Sequence, residues 1–337
     1  MRRGDNPAKR TGLPAHSPAE IGMVSLVYIP SLEGFYAQAL DVLALHLKSL
    51  RATLPRGEII VWDNGSCSEV VAWLQQRFKG GEVDYLMLSR YNLGKTGVLN
   101  WALAALPHRY IGFSDGDIYF YPGWWEAVRK IFASFPRAGM VSPAPALFDV
   151  LRGEGRTEEL LHEEGIEVDL CVVGSKDLSL YYRGLGLQVP EGPPPRLPCG
   201  RASNGTQAYA RSGHHVFVMP QEVARRVPPL PIRGALSTYS DRVLHERVEA
   251  LGYEQLSTLH AFVYHLGNVP EIPPEAVEAS GEHVVTDAVV QQESSFLSVK
   301  QSLKNGIRRY VQRHRWVKKK LERLYGGLFR LLYGEGQ

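Results

Sequence analysis

Residues 21–270 predict an α/β fold, a mainly parallel twisted sheet with helices on both faces. Two observations carry this. Short apolar runs of strand length alternate with longer segments whose apolar residues recur at three- and four-residue steps, which calls for right-handed crossovers between parallel strands. In addition, Asp63, Asn92 and Asp115 each lie just past one of the apolar runs. In sheets of this kind ligands bind beyond the carboxyl ends of the strands. The topology therefore gathers three residues that are distant in sequence.

The elements follow in order. Residues 1–20 are polar, carry Pro7, Pro14 and Pro18, and read as a disordered lead-in. Residues 23–28 form a buried strand, and 35–54 a helix with Leu40, Leu43, Leu47 and Leu50 at helical spacing. Residues 58–62 are a strand that stops at Asn64-Gly65-Ser66, with Ser66 or Ser68 as N-cap of the helix 68–78. Strand 83–88, helix 96–105 and strand 110–113 come next. Pro122 opens the helix 122–132, because a missing N–H costs nothing in a first turn. Strand 139–142 completes this half. Residues 143–213 are rich in Gly and Pro and read as a long loop region with short strands, a partial lid. A strand (214–219), a helix (236–251) and a strand (255–265) then restore regularity, and 271–299 is a connection to a tail, 300–337.

The 337 residues, 44% hydrophobic, suffice for one large domain with a complete core. The cysteines Cys67, Cys171 and Cys199 are few, odd in number and far apart, with no C-x-x-C pair. This argues against a zinc ribbon or a disulfide scaffold and fits a reducing compartment. Neither an export signal nor a membrane-spanning run is expected, so the predicted location is cytoplasmic.

The net charge of +3 is unevenly placed: residues 300–337 hold 11 Lys/Arg against 2 Asp/Glu, a net +9, leaving −6 for the rest. In this tail Leu303, Ile307, Tyr310, Val317, Leu321, Leu324 and Leu328 form a helical apolar stripe among basic residues. Such a C-terminal amphipathic helix suits an anionic membrane surface. Packing on its own domain, or on a second subunit in a homodimer, fits the same pattern. Nucleic acid is not expected, since no recognition motif accompanies the charge.

Asp115-Gly116-Asp117 leaves an apolar strand. Two carboxylates one residue apart can turn toward one cation, and the glycine lets the backbone bend between them. Mg²⁺ and Mn²⁺ take oxygen ligands and bridge carboxylates to phosphates. A plain surface turn has the same composition. Asp63 can accept hydrogen bonds from a ligand or close its own turn. The stretch from Asn92 to Asn100 opens a helix with Lys95 in its first turn, a natural anion site. It is not an ATPase loop, because Ser89 stands where that pattern needs glycine. Asp241 and Arg242 lie on a helix face with Glu246, Arg247 and Glu249 that spacing alone reads as exposed. His265 ends a strand, where neutral imidazole can ligate a metal. His214 and His215, adjacent on a strand, would point to opposite faces.

Together these segments resemble glycosyltransferase family 2, inverting enzymes with the GT-A fold. The family pattern of an aspartate–x–G–S turn, an N-x-G…N segment, a strand ending in D-x-D and a P-g-w appears here in order. It is carried by Asp63-Asn64-Gly65-Ser66, Asn92-Leu93-Gly94-Lys95…Asn100, Asp115-Gly116-Asp117 and Pro122-Gly123-Trp124. Tyr264-His265-Leu266-Gly267 is similar to a late H-x-G element.

The resemblance makes 21–142 a nucleotide-binding half and 214–270 an acceptor and base half. It implies a nucleotide-diphosphate sugar as donor, a glycan, lipid or small molecule as acceptor, and Mn²⁺ or Mg²⁺ as cofactor. The donor contacts implied are Tyr28, Pro30, Asp63, Asn92, Lys95, Asn100, Asp115 and Gly116. Asp115, Asp117 and His265 are the implied metal ligands, and Trp124, Trp125 and Arg242 the implied acceptor contacts. Asp241 takes the place of the catalytic base, although Ser240 stands where the family has an acidic residue. A sugar nucleotidyltransferase is the nearest rival, disfavoured because the loop 29–34 has one glycine and no Lys or Arg. A non-catalytic sugar-nucleotide-binding protein on the same fold is the rival from another class.

Overall fold

The computed structural model describes residues 16–147, 155–231 and 238–273. The basic tail, the connection from 274 on and residues 1–15 lie outside the described residues. Of the expected lead-in, residues 16–20 are described, and His16 Nε2 and Ala19 N–H both bond the Glu58 carboxylate.

Twelve strands are described: β1 (Ile21–Val27), β2 (Glu58–Asp63), β3 (Tyr85–Leu88), β4 (Tyr110–Asp115), β5 (Ile118–Phe120), β6 (Ala138–Ser142), β7 (Glu167–Val172), β8 (Arg196–Arg201), β9 (Gln207–Tyr209), β10 (Val216–Pro220), β11 (Glu254–Ser257) and β12 (Val263–His265). The helices are α1 (Ala39–Thr53), α2 (Ser68–Lys79), α3 (Gly94–Ala105), α4 (Trp124–Ser134), α5 (Thr157–Glu163), α6 (Ser175–Gly184), α7 (Gln221–Arg226) and α8 (Thr238–Ala250).

Ten strands form one sheet in the order β3-β2-β1-β4-β10-β6-β11-β9-β8-β7, and β12 pairs with β5 in a separate ribbon. Strands β3, β2, β1 and β4 are mutually parallel. Their residues alternate between two cores because successive side chains in a strand point to opposite faces. Ile59 and Val61 of β2 pack on one face with α1, α2 and α4, through Leu43, Leu47, Val70, Leu74 and Val128. Ile60 and Trp62 pack on the other with α3, α7 and α8, through Leu99, Leu103, Val223 and Leu244. Covered on both faces, β1 and β2 read as near-continuous apolar runs.

Several expectations are corrected. The helix expected over 35–54 begins only at Ala39, after a separate 3₁₀ turn at Gly34–Tyr36. Gly123 adopts φ +85° and precedes α4, so Pro122 lies outside the helix rather than opening it. Neither Ser66 nor Ser68 caps α2: Cys67 is the N-cap, with no side-chain bond. The strand expected over 255–265 is two strands, β11 in the main sheet and β12 in the ribbon. The described residues of the region 143–213 include two helices and three strands, with a core of their own around Leu178, Leu197 and Tyr209. Cys171 and Cys199, on paired strands β7 and β8, form a disulfide, against the expectation of none. No helix among the described residues is long and apolar enough to cross a membrane.

Candidate functional site

Strand register builds the site. Asp63 ends β2 opposite Val27 of β1, and Asp115 ends β4 opposite Leu26. The D-G-D turn then passes over the end of β1 so closely that a Cβ on Gly116 would sit 2.9 Å from the Leu26 carbonyl oxygen. Glycine is needed there for close approach of two backbones.

Two further strands deliver histidines. Strand β12 pairs with β5 so that His265 lies opposite Ile118, and Leu266 N–H bonds the Asp117 carbonyl. Strand β10 runs antiparallel to β4, which brings its leading end to the finishing end of β4. There Asp115 N–H bonds the His215 carbonyl. His214 and His215 precede β10 rather than lying in it, and their rings are 4.0 Å apart between centroids, so the expectation of opposite faces does not hold.

The two aspartates differ. Asp115 faces Lys95 Nζ at 3.0 Å and His215 Nδ1 at 3.5 Å. Burial alone would raise its carboxyl pKa, but the Lys95 ammonium and His215 hold it well below the ordinary carboxylate range. Lys95 also donates to the His214 carbonyl at 2.9 Å. For Asp117, Oδ2 meets His265 Nε2 at 3.1 Å, while Oδ1 is buried without a partner. His265 Nδ1 donates to the Gly184 carbonyl at the end of α6, at 2.9 Å. Burial works against charging His265, but Asp117 prevails and raises its pKa to about 9. Beneath the turn, buried His46 on α1 bridges the Ile118 carbonyl and Ser25 Oγ.

Other predicted residues are placed differently. Asp63 is 1% exposed and its carboxylate accepts the Gly65 and Ser66 N–H groups. Asn92 Oδ1 accepts from Asn64 Nδ2 and Gly94 N–H, and Asn64 Oδ1 accepts Leu93 N–H, which latches the end of β2 to the start of α3. Asn100 spends its amide on both backbone groups of Leu230. Trp124 and Trp125, the expected acceptor contacts, are 0% and 7% exposed. They begin the helix that covers one sheet face, so their rings pack on Phe120 and Tyr110. Arg242 lies on the exposed side of α8, bonded to Glu246 at 2.7 Å. Asp241 is on α8, and its side chain is outside the described residues. His215, a candidate alongside His214 in the sequence, meets Asp115 because β10 runs antiparallel to β4.

Two clefts flank the D-G-D turn, with His265 in the wall of both. One, about 290 Å³, is lined by Tyr28, Phe35, Tyr36, Asp115, Gly116 and Asp117. The other, about 100 Å³, lies against His214, His215, Tyr181, Tyr264 and Asp177. Pro30 is exposed beside the first. Among the described residues no three His, Cys, Asp or Glu side chains are placed to hold a metal ion together. The predicted trio is split: Asp117 and His265 are together, whereas Asp115 is turned to Lys95.

A sheet whose parallel half ends in a D-x-D turn between two clefts defines the class: this is a GT-A fold. Residues 35–167 match the model for glycosyl transferase family 2. No curated protein matches the chain significantly. Solved structures similar to it include a mannosyltransferase from Pyrobaculum calidifontis in complex with GDP-Man and Mn²⁺. That pair shares 13% identity at a TM-score of 0.43, over 72% of this chain and 55% of the other. Another is TarS residues 1–349 from S. aureus, with 10% identity and a TM-score of 0.43, over 73% of this chain and 60% of the other. The chain thus spans less than two thirds of either solved structure.

Proposed function

We infer that this protein transfers a sugar from a nucleotide-diphosphate donor to an acceptor hydroxyl, with inversion and with a divalent metal ion. The observation that carries the reading is the state of Asp117. Its Oδ1 is buried without a partner, and its Oδ2 faces a histidine whose other nitrogen is held by a carbonyl. A histidine fixed through Nδ1 is oriented to offer Nε2 as a ligand. Mg²⁺ and Mn²⁺ commonly take one or two protein ligands and complete their shell with water and substrate phosphates. Asp117 and His265 therefore fit such an ion without a third protein ligand. When bound, it supplies positive charge to the leaving diphosphate.

The chain's own residues do the rest. Tyr28, Phe35 and Tyr36 wall the cleft beside the turn, where a base and ribose fit. Lys95 holds Asp115 and adds positive charge near the diphosphate. Asp241 on α8 is assigned as the base that takes the proton of the acceptor hydroxyl. Transfer and donor hydrolysis are measured with Mn²⁺, with EDTA, and in Asp241→Asn. Activity lost with EDTA and in the variant is the expected result. Full activity with EDTA removes the metal from the reading, and full transfer in Asp241→Asn removes Asp241.

A further inference from the structure

The second cleft differs from the first in chemistry. Its wall is mostly apolar, from Ala144, Pro145, Ala146, Leu180, Leu185 and Val263 with the rings of Tyr181 and Tyr264, while Ser142, His214, His215 and His265 add the polar part. Asp177, the acid in the wall, is already engaged: its carboxylate accepts Ala261 N–H at 2.8 Å and faces His260 at 3.2 Å. A sugar bound deep in such a wall would leave several hydroxyls without partners, which is unfavourable. An alkyl or aryl group would instead bury its surface with no polar group stranded. The cavity itself is about 100 Å³, room for a short alkyl or aryl group and not for a whole ligand. The cleft reaches Ile118, next to Asp117, and shares His265 with the Tyr28–Tyr36 cleft.

We propose that this cleft takes the apolar portion of the acceptor, so that the substrate is a hydroxyl compound with an alkyl or aryl part next to the hydroxyl-bearing group. The inference rests on the glycosyltransferase reading for what happens to that hydroxyl. Its specificity-determining residues are Leu180, Tyr181 and Leu185, from α6 and the residue that follows it.

The test is binding of methyl, butyl and octyl β-glucoside to the full chain by calorimetry, below micelle-forming concentrations. Affinity is expected to rise with chain length, by about tenfold or more from methyl to octyl. Ala144→Phe, which fills the cleft, and Leu185→Glu, which puts a charge in its wall, are each expected to abolish the rise. Equal affinity for all three glucosides overturns the inference, as does a rise that persists in both variants. UDP and GDP are titrated with Mn²⁺ on the same protein. Chain-length dependence without nucleotide binding upholds this inference and breaks the donor reading. Nucleotide binding without chain-length dependence does the reverse.

Discussion

Two carboxylate–histidine pairs, Glu58–His108 and Asp117–His265, lie at opposite ends of the parallel strands and are built to opposite purposes. At the leading end of β2, Glu58 Oε2 meets His108 Nε2 at 2.6 Å, while Oε1 takes His16 and Ala19 N–H. Both of its oxygens are occupied. His108 lies against Gly22 so tightly that a Cβ there would fall 2.4 Å from the ring, which leaves no space for a ligand. At the finishing end, Asp117 and His265 meet at 3.1 Å, but one carboxylate oxygen is left over and two clefts open beside it. The difference teaches that a buried acid–histidine pair is not itself a sign of chemistry. His108 Nδ1 too is buried without a partner, so unmet hydrogen-bonding capacity marks a site only where space opens next to it.

The comparison can be broken most sharply at Asp117. Asp117→Asn is expected to lower sugar transfer by about a hundredfold or more, since the lost charge stabilisation amounts to several kcal/mol in the transition state. Its stability should fall by no more than the worth of the pair with His265, about 1 kcal/mol near neutral pH. A variant that unfolds easily yet retains activity would make Asp117 a structural acid like Glu58.

Glu58→Gln should behave in the opposite way. It is expected to cost about 1–3 kcal/mol of stability, because buried His108 loses a charged partner. Activity per folded molecule should not change. Burial alone would raise the Glu58 carboxyl, but His16 and His108 hold it below the ordinary carboxylate range. Stability from a depressed carboxyl is present above its unfolded pKa and is lost as pH falls through the folded one. The gap between wild type and variant should therefore close in acid, as followed by urea melts below pH 5.

The smallest effect sharpens the site's own pair. His265 is raised from 6.5 to about 9 in the metal-free protein. Its contribution is fully present below 6.5 and lost as pH rises through 9. His265→Gln should then cost about 1 kcal/mol at pH 6 and almost nothing above pH 9.5. Mn²⁺ should release a proton at pH 7.5, since metal and proton compete for Nε2. A stability gap independent of pH would show that the pair is not ionised.

Much of the first half was legible because its signals are local. Apolar runs bounded by Asn64-Gly65 or by Asp115 mark β2 and β4, and helical spacing marks α1 and α3. The gathering of Asp63, Asn92 and Asp115 at one sheet edge followed from strand–helix alternation. Their use did not. Asp63 and Asn92 turned out to close and latch their own loops, since short polar side chains beside a turn find backbone partners first. The region 143–213 was illegible for a different reason. Its strands pair antiparallel, across separations that leave no periodic trace, and Gly and Pro masked the helices between them.

The sequence by itself determined the fold class, the order of elements through the first half, and the D-x-D turn at the end of β4, because side-chain period and turn chemistry are local properties. Only the tertiary structure decided which residues surround that turn. His215 reaches Asp115 because β10 runs antiparallel to β4, and His265 reaches Asp117 because β12 pairs with β5. Those pairings join residues about 100 and 150 positions apart. They are set by the global packing of the sheet, which no local pattern encodes.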